Sequence, residues 1–298
     1  MRFPFRKSEN TRPAAAPGPD EAEVPSHLRA TIDLQQLHCL RPPSPQNLVD
    51  IFPGGWLTGF PPEIGVTAGK VSYFDFKEDP RVSWAAERIA GGLRNARVLE
   101  LGPFEAYNTW QLEQLGADVV AVESSKVAFL KCLLVKEITG LKARFLHGDA
   151  FGFIEACIEE GRRFDAVWAS GVLYHQTEPL RLLSLIGRVT GAVFIHTHYY
   201  DETAVRANPP VAGRFEPGPA EVKEWEGFEA VHHRFAYKTT DQGPYFAAGP
   251  EGFSFWLERK DIFAFLNRLG FLDIEMEVDN PGHPNGPGMC FLAKKPGA

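Results

Sequence analysis

The sequence has little that would tie it to a membrane, to an oxidising compartment or to bulk nucleic acid. No apolar run approaches the roughly 18 residues of a bilayer-spanning helix, and the N-terminus shows no apolar signal-peptide core. The four cysteines, Cys39, Cys132, Cys157 and Cys290, lie far apart with no C-x-x-C pair, so the usual spacing of a zinc or dithiol site is missing. Cys132 and Cys157 fall beside apolar neighbours in helical patterns and read as buried, reduced thiols. Positive charge is in deficit: 31 Lys and Arg stand against 38 Asp and Glu, a formal net charge of −7. That argues against wrapping nucleic acid by bulk electrostatics and leaves only a local basic patch, around Arg88, Arg94 and Arg97, to consider. There is no internal repeat. Together these absences lead to the expectation of a cytoplasmic protein without a membrane span.

What is present suffices for a large core. The chain has 298 residues, 44% of them hydrophobic and 12% aromatic, which allows one large domain or two small ones. Its organising stretch runs from Ala96 to Ser125. The apolar run Val98-Leu99-Glu100-Leu101 breaks at Gly102. A helix-compatible segment with Trp110, Leu112 and Leu115 follows, closed by Gly116. A second apolar run, Val119 to Val122, ends on Glu123. Strand, glycine turn, helix, strand and terminal acid form a βαβ nucleotide-binding unit, and a carboxylate about 20 residues beyond the turn can accept hydrogen bonds from both ribose hydroxyls.

On either side the pattern divides the chain. Residues 1–26 are rich in Pro, Ala and acid and read as a disordered tail. Residues 27–79 read as an N-terminal extension or lid, with a short helix around Ser26 to Leu40 and aromatics among Gly and Pro from residue 51 onward. Pro80 to Leu93 has the spacing of an amphipathic helix. After the βαβ unit, a helix capped by Ser124-Ser125 runs through Thr139, with Val127, Leu130, Leu133, Leu134 and Ile138 as its apolar set. Strands follow at Ala143 to Leu146, Phe164 to Ala169 and Ala192 to Thr197, separated by helices at Phe153 to Ile158 and after Pro179. Alternation pauses from about 199 to 255, too long for a plain connection and read as an insertion that shapes a substrate pocket. A helix from about Leu257 to Leu269 and two final strands complete the chain. Those two are joined by a short turn-rich loop and must be antiparallel. The expected fold is α/β: a Rossmann-like, seven-stranded, mostly parallel sheet with an antiparallel last strand and helices on both faces.

These signals, in this order, resemble the class I S-adenosylmethionine-dependent methyltransferases over about residues 80–295, within a domain expected to span 80–298. Val98-Leu99-Glu100-Leu101-Gly102 is similar to the family's first motif, Glu123 to its ribose-binding acid, Gly148-Asp149-Ala150 to its acidic segment beside adenine, and Phe164-Asp165-Ala166-Val167 to its fourth strand. Gly171-Val172-Leu173-Tyr174-His175-Gln176-Thr177-Glu178-Pro179 resembles the G-x-L-Y-H-x-x-x-P signature of the tRNA wobble-uridine carboxymethyltransferase-like branch, which also contains enzymes acting on small molecules. The glycine-rich loop departs from the family: Gly102-Pro103-Phe104-Glu105-Ala106 keeps one glycine and puts Ala106 where a second is common.

The resemblance implies S-adenosyl-L-methionine as cofactor, held by Glu100, Gly102, Pro103, Phe104, Glu123, Ser124, Asp149, Ala150, Ser170 and Gly171. It implies a catalytic surface at Tyr174 and His175, the imidazole a candidate base titrating near neutrality. His196 and His198 share a strand face, but with no third ligand at a recognisable spacing no metal is assigned, and His198 reads as a pocket residue. The negative charge favours a small-molecule or glycan-type acceptor over tRNA, with nucleic acid still possible. Two other classes compete. A nicotinamide-dependent oxidoreductase shares the βαβ unit but normally has the full G-x-G-x-x-G and would not explain the final strand pair. A non-catalytic cofactor binder would lack an acceptor site.

Overall fold

The computed structural model describes residues 38–68, 74–75, 79–215, 220–237 and 248–297. The chain forms two compact units, Met1–Pro42 and Pro43–Ala298. The first is described only from residue 38, as coil and bend; the expected tail, most of the helix around Ser26 to Leu40, and residues 69–73 and 76–78 lie outside the described residues.

The second unit is built on a seven-stranded sheet. Its strands are β1 (Arg97–Leu101), β2 (Asp118–Glu123), β3 (Arg144–His147), β4 (Ala166–Ser170), β5 (Ala192–His198) and, late in the chain, β9 (Asp273–Asn280) and β10 (Gly288–Lys294). Their spatial order is β9-β10-β5-β4-β1-β2-β3. β3, β2, β1, β4 and β5 pair in parallel, and β10 is antiparallel to both neighbours. The expected sheet and its closing pair are therefore present.

Side chains alternate across the strands and build two cores. Leu99, Leu101, Val167, Ile195 and Phe291 pack under α4 (Ala150–Glu159), α5 (Pro179–Val189) and α6 (Arg259–Arg268). Val98, Trp168, Phe194 and Leu292 pack under α1 (Pro80–Ala86), α2 (Tyr107–Gln114) and α3 (Lys126–Thr139), together with Trp56 and Phe60 from the preceding segment. Glu100, Ser170, His196 and His198 have the parity of this second face, so their chemistry collects on one side of the sheet at its carboxyl edge.

Several element boundaries and faces differ from expectation. α1 ends at Ala86 rather than Leu93, because the chain turns through Gly91 and Gly92 at φ +78° and +68°. In α3 part of the expected apolar set faces outward: Val127, Leu130 and Leu133 are 45%, 49% and 39% exposed, while Leu134 and Ile138 are half-buried against the core and the buried face is Ala128, Lys131, Cys132 and Val135. The stretch expected to be an irregular insertion holds a second, three-stranded antiparallel sheet of β6 (Glu221–Trp225), β7 (Phe228–Ala236) and β8 (Phe253–Leu257). Glu226 and Gly227, both left-handed (φ +51° and +75°), make its tight β6–β7 turn. Leu257 accordingly ends a strand and α6 starts at Arg259. Among the described residues no helix is long and apolar enough to cross a membrane.

Candidate active site

The turn after β1 keeps the backbone of a glycine-rich loop without the glycines. Gly102, Phe104 and Ala106 all lie in the left-handed region, at φ +62°, +57° and +58°, so two residues with side chains hold positions that favour glycine. Only Ala106 was expected to stand in such a place; Phe104 does so too. Gly102 is favoured on a second count, since a Cβ there would sit 3.1 Å from Val172 Cγ2, which would have to give way.

Two buried carboxylates flank this loop. Glu100, on β1, is 2% exposed and receives the Thr109 hydroxyl at 2.5 Å. Burial pushes its carboxyl up to about 8; the Thr109 bond opposes the shift and the nearby Glu123 charge adds to it. Glu123, at the end of β2, accepts the Phe104 N–H at 3.1 Å and the Ser125 N–H at 2.8 Å. Its carboxyl is also raised, by burial, against those backbone donors. Among the described residues no Lys or Arg pairs with either acid. Two desolvated carboxylates without a cation, beside a loop backbone, suit a ligand carrying hydroxyls and a positive charge.

Asp149, expected beside adenine, is exposed and caps α4 by accepting the Gly152 N–H at 2.8 Å. Ala150 begins that helix, and Pro103 and Ser124 lie on the two flanking turns. Ser170 pairs with His196 across β4 and β5, and Gly171 donates its N–H to the His196 carbonyl at 2.9 Å. The expected cofactor residues thus gather at the carboxyl ends of β1, β2, β3 and β4.

A buried ion pair holds this region to the preceding segment. Lys131 Nζ lies 2.6 Å from Glu105 Oε1, with side chains 2% and 0% exposed. Glu105 also accepts the N–H groups of Leu57 and Thr58, and Lys131 donates to the Gly55 carbonyl. The ammonium faces the rings of Phe52, Trp56 and Phe104 at 5.9, 5.4 and 5.6 Å. A lysine at an inward helical position carries no sequence signal for this role. Asp79 escaped notice as well, although Asp79-Pro80 is a sound helix start. It caps α1, binds Arg81 through two oxygens at 2.7 and 2.5 Å, and accepts from Tyr107 and from Asn108 Nδ2.

The short helix Leu173–His175 brings Tyr174 and His175 to the same edge. His175 Nδ1 lies 2.5 Å from the Tyr237 hydroxyl, which donates to Ser254 Oγ at 3.0 Å. Burial, with His198 nearby, holds the His175 imidazole down to about 3, so the expected titration near neutrality is not found there. Burial likewise lowers His196 to about 3 and His198 to about 4. A cavity of about 200 Å³ opens between β5 and β10, lined by Arg81, His196, His198, Val278, Asn280, His283, Gly288, Met289 and Cys290. A wider groove of about 840 Å³ lies between α1 and α2; Asp79 lines it but no histidine does, and neither cavity is lined by Glu100 or Glu123. No cluster able to hold a metal occurs among the described residues.

The strand order, with β10 antiparallel to both neighbours, is that of the Rossmann-like methyltransferase fold. Among solved structures, the N-terminal domain of EvdMO1, crystallised with SAH bound, superposes with a TM-score of 0.63 at 22% identity, covering 89% of this chain and 98% of that one. The chain is also similar to the tRNA U34 carboxymethyltransferase of Psychrobacter cryohalolentis, 27% identical over 113 residues, 34% of this chain and 31% of that protein. The same-named protein of Methylococcus capsulatus is 27% identical over 221 residues, 68% of this chain and 63% of that protein. The chain thus spans about a third of the first relative's length and somewhat under two thirds of the second's. No protein-family profile matches it.

Proposed function

We propose that this protein is an S-adenosylmethionine-dependent methyltransferase acting on a small-molecule acceptor. The observation that carries the reading is the pair of buried, cation-free carboxylates, Glu100 and Glu123, beside the left-handed loop after β1. When bound, S-adenosylmethionine supplies an electrophilic methyl group on a sulfonium. Glu123 would receive the ribose hydroxyls and Glu100 would face the ammonium; Pro103 and Phe104 would give backbone contact, with Ser124, Asp149 and Ala150 towards the nucleoside end. Ser170 and Gly171 would border the methyl group, and Tyr174 and His175 the acceptor. The fold neighbour solved with SAH supports this choice of ligand.

The small acceptor is favoured by the small cavity and by neutralised surface arginines. Arg88 lies 3.3 Å from Glu275, and Arg97 lies 3.7 Å from Asp165, which weakens the basic face that tRNA would need. The names of the curated relatives keep tRNA as the second reading; tight, salt-sensitive tRNA binding in a gel-shift assay would favour it. The test of the main reading is calorimetry with S-adenosylhomocysteine. Glu123→Ala should weaken binding by about 1.5–3 kcal/mol, roughly 10- to 100-fold. Unchanged affinity in a folded variant would remove Glu123 from the site, and no binding by the native protein would remove the reading.

A further inference from the structure

His198 is fixed in one tautomer by the backbone. Its Nδ1 lies 2.9 Å from the Gly286 carbonyl oxygen and 3.1 Å from that of Pro287. A carbonyl oxygen only accepts, so Nδ1 carries the proton, and the neutral ring keeps its lone pair on Nε2. Among the described residues no hydrogen bond is made at Nε2, and the ring lines the 200 Å³ cavity. The orientation is held as firmly as the tautomer. His198 stacks on Trp256 at 5.0 Å with an interplanar angle of 7°, and Tyr174 meets it edge-on at 4.6 Å. Gly286 brings the accepting carbonyl into place because it has no side chain: a Cβ there would lie 2.7 Å from the Trp256 ring.

His175 and His283 are placed differently: His175 does not line the cavity, and His283 Nδ1 accepts the Asn285 N–H at 3.1 Å. Among the described residues His196 makes no side-chain hydrogen bond that would fix its tautomer. Arg81 at the cavity is matched by Asp79 through two bonds, and His196 and His198 are held neutral by burial. The groups facing His198 are His196 on its own strand, Tyr174 of the short helix, Arg81 at the start of α1, Cys290 of β10 and His283 of the β9–β10 loop; none is a carboxylate. A pocket of this size whose arginine is already paired suits an uncharged acceptor of about one ring. An anionic one would need a free cation.

We propose that His198 is the acceptor-side base, its Nε2 taking the proton of a hydroxyl group on a small, uncharged acceptor seated in this cavity. The assignment rests on the methyltransferase reading above. The acceptor O–H bond breaks as its proton moves to Nε2. The oxygen keeps the electron pair and forms the new bond to the methyl carbon, while the C–S bond of the sulfonium donor breaks and its electrons stay on sulfur. The ring then returns the proton to water.

The test is long-range proton–nitrogen NMR on the full-length protein labelled with ¹⁵N-histidine, the His198 signals being assigned by their loss in His198→Asn. At pH 7 we expect a neutral ring protonated at Nδ1 and bare at Nε2, and a shift of the Nε2 resonance when phenol is added to the SAH-loaded protein. A ring protonated at Nε2, a charged ring, no response to phenol, or a response to benzoate instead would each overturn the proposal. Failure of the methyltransferase reading shows separately, as absence of SAH binding by calorimetry, and the tautomer stays measurable in the free protein. On any hydroxyl-bearing probe that is methylated, His198→Asn should lose about 10²–10⁴-fold in kcat with SAH affinity unchanged. The asparagine amide can keep the donation to Gly286, so retention of the native rate would also exclude the base role.

Discussion

Replacing Lys131 by methionine tests whether the buried ion pair holds the loop after β1 in place. At 2.6 Å from Glu105, the Coulomb attraction is roughly 6 kcal/mol at an effective dielectric of about 20. Several kcal/mol of desolvation per ion offset it, so the pair adds little net stability. Removing one partner is another matter. Lys131→Met leaves Glu105 buried, with only the Leu57 and Thr58 N–H groups to satisfy it, and breaking such a pair costs about 3–5 kcal/mol. In a body of this size that is a fall of roughly 6–20 °C in Tm. The assay is thermal unfolding by circular dichroism, with SAH calorimetry beside it, because Glu105 lies between the left-handed Phe104 and Ala106. Lys131→Met/Glu105→Gln should regain part of the loss, since no uncompensated charge remains. A Tm for Lys131→Met within about 2 °C of the native protein, or a double variant less stable than the single, would refute the reasoning.

Two further outcomes follow from the same geometry. Stability of the ligand-free protein should peak between about pH 6 and 7. His175, His196 and His198 titrate at about 3, 3 and 4 when folded against 6.5 unfolded, so the stability of their neutral forms is present above 6.5 and lost as pH falls, about 1.4 kcal/mol per unit for each. Glu100, at about 8 against 4.5, works in the opposite sense, its contribution being complete below 4.5 and lost as pH rises through 8. A flat profile from pH 5 to 8, or an alkaline fall that survives Glu100→Gln combined with Glu123→Gln, would contradict these assignments. In the loop, Gly102→Ala should destabilise by about 1–3 kcal/mol through left-handed strain and contact with Val172. Ala106→Gly should stay within about 1 kcal/mol of native, relieved strain being balanced by a lost buried methyl and a freer unfolded chain. Melting curves distinguish the two.

Local chemistry was enough to place the seven strands of the main sheet, but not the three of the second sheet. Apolar runs of four to six residues, broken at Gly102 and ended at Glu123, report strand positions directly, because period and turn residues are properties of neighbours in the chain. The order of those runs carried the sheet, its antiparallel closing strand and the acids at the ends of β1 and β2. What the tertiary structure alone decided involves partners distant in sequence. The exposed Val127, Leu130 and Leu133 and the buried Lys131 invert the periodicity of α3, because Glu105 and Gly55 arrive from elsewhere to satisfy the ammonium. The β6–β7 hairpin turns on Glu226-Gly227, not on the Asn-Gly or Asp-Gly pair that marks such turns locally. Phe104 takes a glycine-like conformation that its side chain gives no reason to expect. His198 becomes a ring with one free nitrogen only because Gly286 and Pro287, 88 and 89 residues away, present carbonyls to the other. Hydrogen-bond direction and burial depend on what folding brings alongside, and a local pattern contains neither.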